Sequence, residues 1–330
     1  MSASTFRVAR AIPGAHHGGP AGTAPATVSF PHYPSLTTTV PKEFVHRASV
    51  AEVLLTDWDR VDDEHFTVTA QLPRQHGFFA TVGGCHDPLL FAETIRQAGI
   101  LLAHTEFAVP LGHHFLMQDL SVDTLSEHLS VGTAPASLEI DIVCSDIRRR
   151  GAKLSGLHYE AVIRRDGKVA GTGSATFTCA PPAVYRRLRS ASIGDRVPAP
   201  LALTSPIAPQ DVGRLSPTDV VLSPVPARDC WQLRVDTRHP VLFDHPVDHV
   251  PGMLLLEAAR QASAAFLGYT CIPVGLTGEF SRYAELDAPC LISVCALPEE
   301  PDGRDRVLVT GRQDDRLVFS SAVTVEPTMV

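Results

Sequence analysis

Apolar and polar positions alternate strictly through HFTVTAQL, His65 to Leu72, so that Phe66, Val68, Ala70 and Leu72 share one face, the signature of a half-buried strand. Similar segments run from Ser49 to Leu55, Phe115 to Val122, Ala136 to Ile147, Ala152 to Arg165 and Lys168 to Cys179, the last two joined at the turn dipeptide Asp166-Gly167. The later part of the chain predicts strands at Asp219 to Leu222, Trp231 to Asp236, Val274 to Arg282, Cys290 to Leu297, Arg306 to Gly311 and Arg316 to Val325, with a turn at Asp314-Asp315. Two stretches break the alternation. LLFAETIRQAGILLA (Leu89 to Ala103) and MLLLEAARQASAAFL (Met253 to Leu267) are apolar nearly all round and too long for strands, so they predict buried helices, the second opening at Gly252.

The helices belong to a duplication. Arg74 to Ala98 overlays Arg238 to Ala262 at a constant offset of 164, matching Phe79 with Phe243, Leu90 with Leu254, Glu93 with Glu257, Arg96 with Arg260, and Gln97 with Gln261. Each half therefore reads as strands, one long apolar helix and a meander. A helix apolar on every side needs cover on most of them, and an antiparallel sheet curling around it supplies that cover. The expected fold is α+β, a double hotdog of two tandem units, each a curled sheet about one central helix. The first repeat is expected over residues 41–180 and the second over 216–330, with a linker rich in Pro and Arg over 181–215 and a disordered tail over 1–40.

Charge inside such helices is costly unless paired or used. Glu93, Arg96 and Gln97 share a helix face, as do Glu257, Arg260 and Gln261. An intrahelical ion pair is the plain alternative, but the repetition favours two halves of one cleft. A buried carboxylate there is expected to have a raised pKa and serve as a general base, while the guanidinium offers a planar fork to phosphate or carboxylate. Catalytic candidates are Glu93, Glu257, Arg96 and Arg260, and substrate-binding candidates are Gln97, Gln261, Gly252, Met253, His245 and His114.

The stretch from Phe243 to Glu257, with His245 ahead of Pro251-Gly252 and Glu257 one turn into the helix, resembles hotdog β-hydroxyacyl thioester dehydratases. That likeness implies helix-start amides that hold a thioester carbonyl. Its spacing is two residues short, and the first half has Thr81 and Pro88 in place of His245 and Gly252. The His245-x-x-x-His249 pair is interrupted by prolines and has no third partner, so no metal is expected. Of His113 and His114, one is expected to line the cleft.

Taken together, VHRASVAEVLLTDW, FTVTAQLPRQHGFF, HDPLLFAETIRQAGILLAH and VPLGHHFLMQDLSV, between Val45 and Val122, resemble the A-factor biosynthesis family, with the second half matching more loosely. These are the synthases of γ-butyrolactone, butenolide and furan autoregulators. The resemblance implies transfer of a β-ketoacyl group from acyl carrier protein to the primary hydroxyl of dihydroxyacetone phosphate, followed by closure to a butenolide phosphate, without a cofactor. It also implies functional roles for Glu93, Arg96, Glu257 and Arg260. The second repeat is expected to hold the thioester because it keeps Pro251-Gly252. A hotdog dehydratase or thioesterase, and a non-catalytic acyl sensor, are the competing readings.

Composition narrows the setting. The 330 residues carry a formal charge of −8 without a basic block, which disfavours nucleic acid, and no apolar run reaches membrane-spanning length. Seven scattered cysteines without a CxxC pair argue against a disulfide framework or zinc knuckle. A cytoplasmic enzyme is expected, with a homodimer left open.

Overall fold

The computed structural model describes residues 37–151, 153–193 and 199–328. The expected tail lies, up to residue 36, outside the described residues. From Thr38 onward the chain is one compact unit built on a twelve-stranded antiparallel sheet.

The first half supplies β1 (Leu55–Arg60), β2 (His65–Leu72), α1 (Leu89–Thr105), β3 (His114–Thr124), β4 (Ala136–Arg150), β5 (Lys153–Arg165) and β6 (Lys168–Ala180). After α2 (Pro182–Ile193), the second half supplies β7 (Leu222–Pro224), β8 (Cys230–Leu233), α3 (Gly252–Leu267), β9 (Cys271–Phe280), β10 (Leu291–Ala296), β11 (Asp305–Gln313) and β12 (Arg316–Pro327). The sheet order is β1-β2-β4-β5-β6-β3-β9-β12-β11-β10-β8-β7. Read outward from its middle, each half has the same connectivity, and each places its helix between its second and third strands. The duplication seen in the helices is thus a duplication of topology.

The halves join edge to edge where β3 pairs antiparallel with β9, from Asp119 opposite Glu279 to Asp123 opposite Gly275. Two edges that would otherwise expose unpaired backbone groups satisfy each other. The apolar faces of the strands close on α1 and α3 to form one core. Contact between α1 and its sheet is close at Gly99, where an added Cβ would stand 2.5 Å from the Tyr159 ring carbon Cζ and from its hydroxyl. That hydroxyl donates to the Ile95 carbonyl at 2.8 Å, so a buried tyrosine is satisfied by the helix backbone.

Strand β2 and helix α3 begin and end where the pattern of residues places them, and Asp166-Gly167 and Asp314-Asp315 turn with positive φ at both residues. Two segments differ. Ser49 to Leu55 holds a 3-10 turn at Val50–Glu52 and becomes strand only at Leu55, and Asp219 to Leu222 leaves a 3-10 turn at Pro217–Asp219 and becomes strand only at Leu222. In both, a serine caps the turn: Ser49 Oγ accepts from the Ala51 N–H and Ser216 Oγ from the Thr218 N–H. The proline-rich linker also contains more order than expected, because α2 folds there and its Arg189 is buried.

Candidate active site

Glu93 and Glu257 occupy equivalent buried positions on α1 and α3, and each carboxylate sits between two guanidiniums. Glu93 Oε1 accepts from Arg47 Nε at 3.0 Å, from Arg96 Nη2 at 2.8 Å and from Gln97 Nε2 at 2.7 Å, while Oε2 takes Arg96 Nε at 2.8 Å. Glu257 accepts from Arg214 at 2.8 and 2.5 Å, from Arg260 at 2.9 and 2.8 Å, and from Gln261 at 2.5 Å. The glutamines serve as staples. Gln97 bridges the Leu54 N–H and the Glu52 carbonyl, and Gln261 bridges the Val221 N–H and the Asp219 carbonyl, so each helix is tied to the segment that precedes its sheet.

The second guanidiniums also cross between repeats. Arg47 Nη1 donates to the Val241 carbonyl at 3.2 Å, and Arg214 Nη1 to the Phe78 carbonyl at 2.6 Å. Arg47 and Arg214 were not among the candidates, although a signal exists. Val45-x-Arg47-x-Ser49-x-x-Glu52-Val53 matches Val212-x-Arg214-x-Ser216-x-x-Asp219-Val220 at an offset of 167. The change from 164 hides this match from a gapless comparison extended from the helices.

These clamps overturn the expectation of a raised carboxyl pKa. Burial does push both glutamates upward, but the arginines prevail: Arg47 and Arg96 bring Glu93 to about 2, and Arg214 and Arg260 bring Glu257 to about 2. Both are firm carboxylates at neutral pH.

A cavity of about 780 Å³ lies between the halves. Its apolar part includes Ile100, Phe115, Met117, Leu256, Phe280 and Val318. Arg96, His114, His245, Gly252 and Met253 also line it, whereas Glu93, Glu257, Gln97, Gln261 and Arg260 are absent from its wall. Of the catalytic candidates, then, only Arg96 reaches this cavity. Its Nε and Nη2 hold Glu93, and Nη1 has no hydrogen bond among the described residues. Arg260 is sealed: Nη2 donates to the Val212 carbonyl, and its side chain is 4% exposed against 18% for Arg96.

The helix starts differ in the same sense. At α1, Asp87 Oδ1 accepts the Leu89 N–H at 2.9 Å, and Oδ2 lies 3.5 Å from Arg214 Nη1, so a carboxylate of the chain itself occupies the positive end of the helix. At α3, Pro251 offers no side-chain cap, and the N–H groups of Gly252 and Met253, two residues that line the cavity, have no acceptor among the described residues. One helix start is filled and the other is open for an anion.

Helix α2 closes one side. Tyr185 stacks flat on His114 at 3.7 Å and donates to Asp248 Oδ1 at 2.6 Å, and Arg189 binds both Asp248 and Glu285. His245 Nδ1 lies 3.4 Å from Asp244, whose carboxylate takes the Ala48 and Ser49 N–H groups. Among the described residues, no group of three His, Cys, Asp or Glu side chains is arranged to hold a metal, and no helix is long and apolar enough to cross a membrane.

Two fused sheet-and-helix units sharing a single cavity, with one unblocked helix start, define a double-hotdog protein. The A-factor biosynthesis hotdog domain matches residues 28–181 and again 198–329, and the chain belongs to that family. It is 54% identical over 291 residues to the 2-oxo-3-(phosphooxy)propyl 3-oxoalkanoate synthase of Streptomyces virginiae, covering 87% of this chain and 98% of that one. The protein of the same name from Streptomyces coelicolor is 43% identical, with 86% and 91% covered. Among solved structures, an acyl-ACP thioesterase from Bacteroides thetaiotaomicron superposes with a TM-score of 0.49 at 11% identity, covering 79% of this chain and 98% of that one.

Proposed function

We propose that this protein transfers a β-ketoacyl group from an acyl carrier protein thioester to the primary hydroxyl of dihydroxyacetone phosphate. The resulting ester, a 2-oxo-3-(phosphooxy)propyl 3-oxoalkanoate, closes by intramolecular aldol condensation to a butenolide phosphate, the first step towards an autoregulator signal. The observation that carries this reading is the pairing, across one cavity, of the unblocked α3 start with Arg96 of the other repeat. Gly252 and Met253 N–H groups stabilise the oxyanion formed on the thioester carbonyl, and Arg96 Nη1 holds the phosphate. The apolar wall takes the acyl arm. Binding both substrates at once allows direct transfer without a covalent enzyme intermediate.

In this reading Glu93 positions Arg96 rather than moving a proton, and Glu257 with Arg260 gives the second repeat its equivalent anchor. The names of the relatives support the acyl and phosphooxypropyl parts. Repeats over 41–180 and 216–330, joined by 181–215, describe the gene duplication behind this arrangement. Seven free cysteines suit a reducing cytoplasm.

The test is mass spectrometry of products from the purified protein, dihydroxyacetone phosphate and β-ketoacyl thioesters. The phospho-ester or its butenolide is expected, and Arg96→Ala lowers kcat/KM for the phosphate substrate by about 100-fold or more, the scale of one lost charge-assisted contact in a cavity. Unchanged turnover in a folded Arg96→Ala variant refutes the phosphate assignment. Free acid or enoyl product without ester favours the hydrolase or dehydratase alternative.

A further inference from the structure

Direct acyl transfer needs a group that takes the proton of the attacking hydroxyl, and the clamped glutamates cannot. Five histidines line the cavity: His245 meets its carboxylate only at 3.4 Å, and His113 and His114 have no ring hydrogen bond among the described residues, which leaves His46 and His249 with one ring nitrogen held by a short bond, and what stands behind each ring separates them.

His46 is held by His104. His104 Nδ1 donates to the Val109 carbonyl at 2.7 Å, so in its neutral form His104 Nε2 can only accept. His46 Nε2, 2.9 Å away, must then donate, leaving His46 Nδ1 with a lone pair. The chain ends on a neutral carbonyl. Burial, then His104 and Arg96, push His46 down to about 3. At neutral pH His46 is a neutral acceptor.

His249 has a carboxylate behind it. Its Nδ1 lies 2.8 Å from Asp248 Oδ1, and Asp248 also accepts from Tyr185 Oη at 2.6 Å and from Arg189 Nε at 2.9 Å. Burial opposes ionisation of Asp248, but the hydrogen bonds from His249, Tyr185 and Arg189 hold it well below the usual carboxylate range. An ionised Asp248 can only accept, so Nδ1 of His249 carries the proton and Nε2 is bare, with no partner among the described residues. The ring is 27% exposed and lines the cavity. It precedes Gly252 by three residues, a span of about 11 Å at most. Base and oxyanion donors thus sit on one short stretch of the cavity wall.

Resting on the acyl-transfer reading, we propose that His249, oriented by Asp248, is the general base of the reaction. His249 Nε2 takes the hydroxyl proton as the alcohol oxygen bonds to the thioester carbonyl carbon, and the Gly252 and Met253 N–H groups receive the oxyanion. Collapse restores the carbonyl and breaks the C–S bond. The departing sulfur takes the proton from the His249 imidazolium, giving ester, free thiol and neutral His249. Besides Asp248, the charged or titratable groups near this ring are Tyr185 and Arg189 of α2, with Glu285 bound to Arg189, His114 of β3, and Tyr283, whose ring meets it edge-on at 4.8 Å.

The experiment compares His249→Gln, His249→Ala and His46→Gly, the last mirroring Gly213, which shares the left-handed backbone of His46. His249→Gln should lower kcat by about 10²- to 10⁴-fold with KM for dihydroxyacetone phosphate changed only a few-fold, and should remove the acidic limb of the pH profile. Added imidazole should restore turnover to His249→Ala, and His46→Gly should keep the acidic limb. Wild-type kcat in His249→Gln, or loss without imidazole rescue, overturns the proposal. The ¹⁵N shifts of His249 in the free wild-type protein test the tautomer separately: a proton on Nε2 overturns the dyad even if the ester forms. A correct tautomer with no ester from the wild type refutes the reaction instead.

Discussion

Arg214→Leu tests whether the buried clamps hold the two repeats together. Glu257, Asp87, Arg214 and Arg260 form a cluster with two charges of each sign, and the side chains of Glu257 and Arg214 are 0% and 1% exposed. Removing Arg214 leaves two carboxylates to one guanidinium and deprives the Phe78 carbonyl of its donor across the repeats. Breaking a buried ion pair from one side costs about 3 to 5 kcal/mol, while the Phe78 carbonyl keeps the Ala80 N–H at 2.8 Å. The expected destabilisation is therefore about 3 to 5 kcal/mol. At roughly 2 °C per kcal/mol for a chain of this size, the midpoint of a thermal melt should fall by about 6 to 10 °C. Urea unfolding should give the same sign through a lower midpoint at unchanged slope. Glu257→Gln in the Arg214→Leu background removes the stranded charge, so the double variant should be about 2 kcal/mol more stable than the sum of the singles. A single variant within about 1 kcal/mol of wild type, or strict additivity, refutes the reasoning.

Two further predictions concern stability. Glu93 and Glu257 have folded pKa values near 2 against an ordinary 4.5, so each contributes about 3 kcal/mol that is fully present above pH 4.5 and lost as pH falls towards 2; acid titration of the urea midpoint should show this loss, and a flat midpoint from pH 5 to 2.5 contradicts it. Gly99→Ala drives a methyl into the rigid Tyr159 ring and should destabilise by about 1 to 3 kcal/mol, whereas Gly99→Ala combined with Tyr159→Phe should regain only the part due to the hydroxyl; a neutral Gly99→Ala in thermal melts contradicts the close packing.

Much of the fold was legible because its signals are local. The alternation through Phe66, Val68, Ala70 and Leu72, the two apolar helices and the turn at Asp166-Gly167 depend on neighbours within a few residues. The segments beginning at Ser49 and Asp219 misled because the aliphatic residues that follow each serine-capped 3-10 turn, Val53 to Leu55 and Val220 to Leu222, are buried as those of a strand would be, while the turns themselves bury none. The linker helix escaped because its prolines are at its start, where they are tolerated, while the value of Arg189 lies in partners 59 and 96 residues away.

By itself the sequence determined that one module was duplicated, that each copy wraps a sheet around a helix, and that each helix carries an acid, a guanidinium and an amide on one face. Helical and strand periodicities fix those facts within the element. Only the tertiary structure decided what the charged groups do. Arg47 and Arg214 arrive from loops 46 and 43 residues upstream, and Asp87 fills one helix start while Pro251 leaves the other open. Whether a buried charge is clamped or presented to a cavity depends on which distant groups the chain path brings within about 3 Å, and Coulomb energy at that range outweighs any local preference.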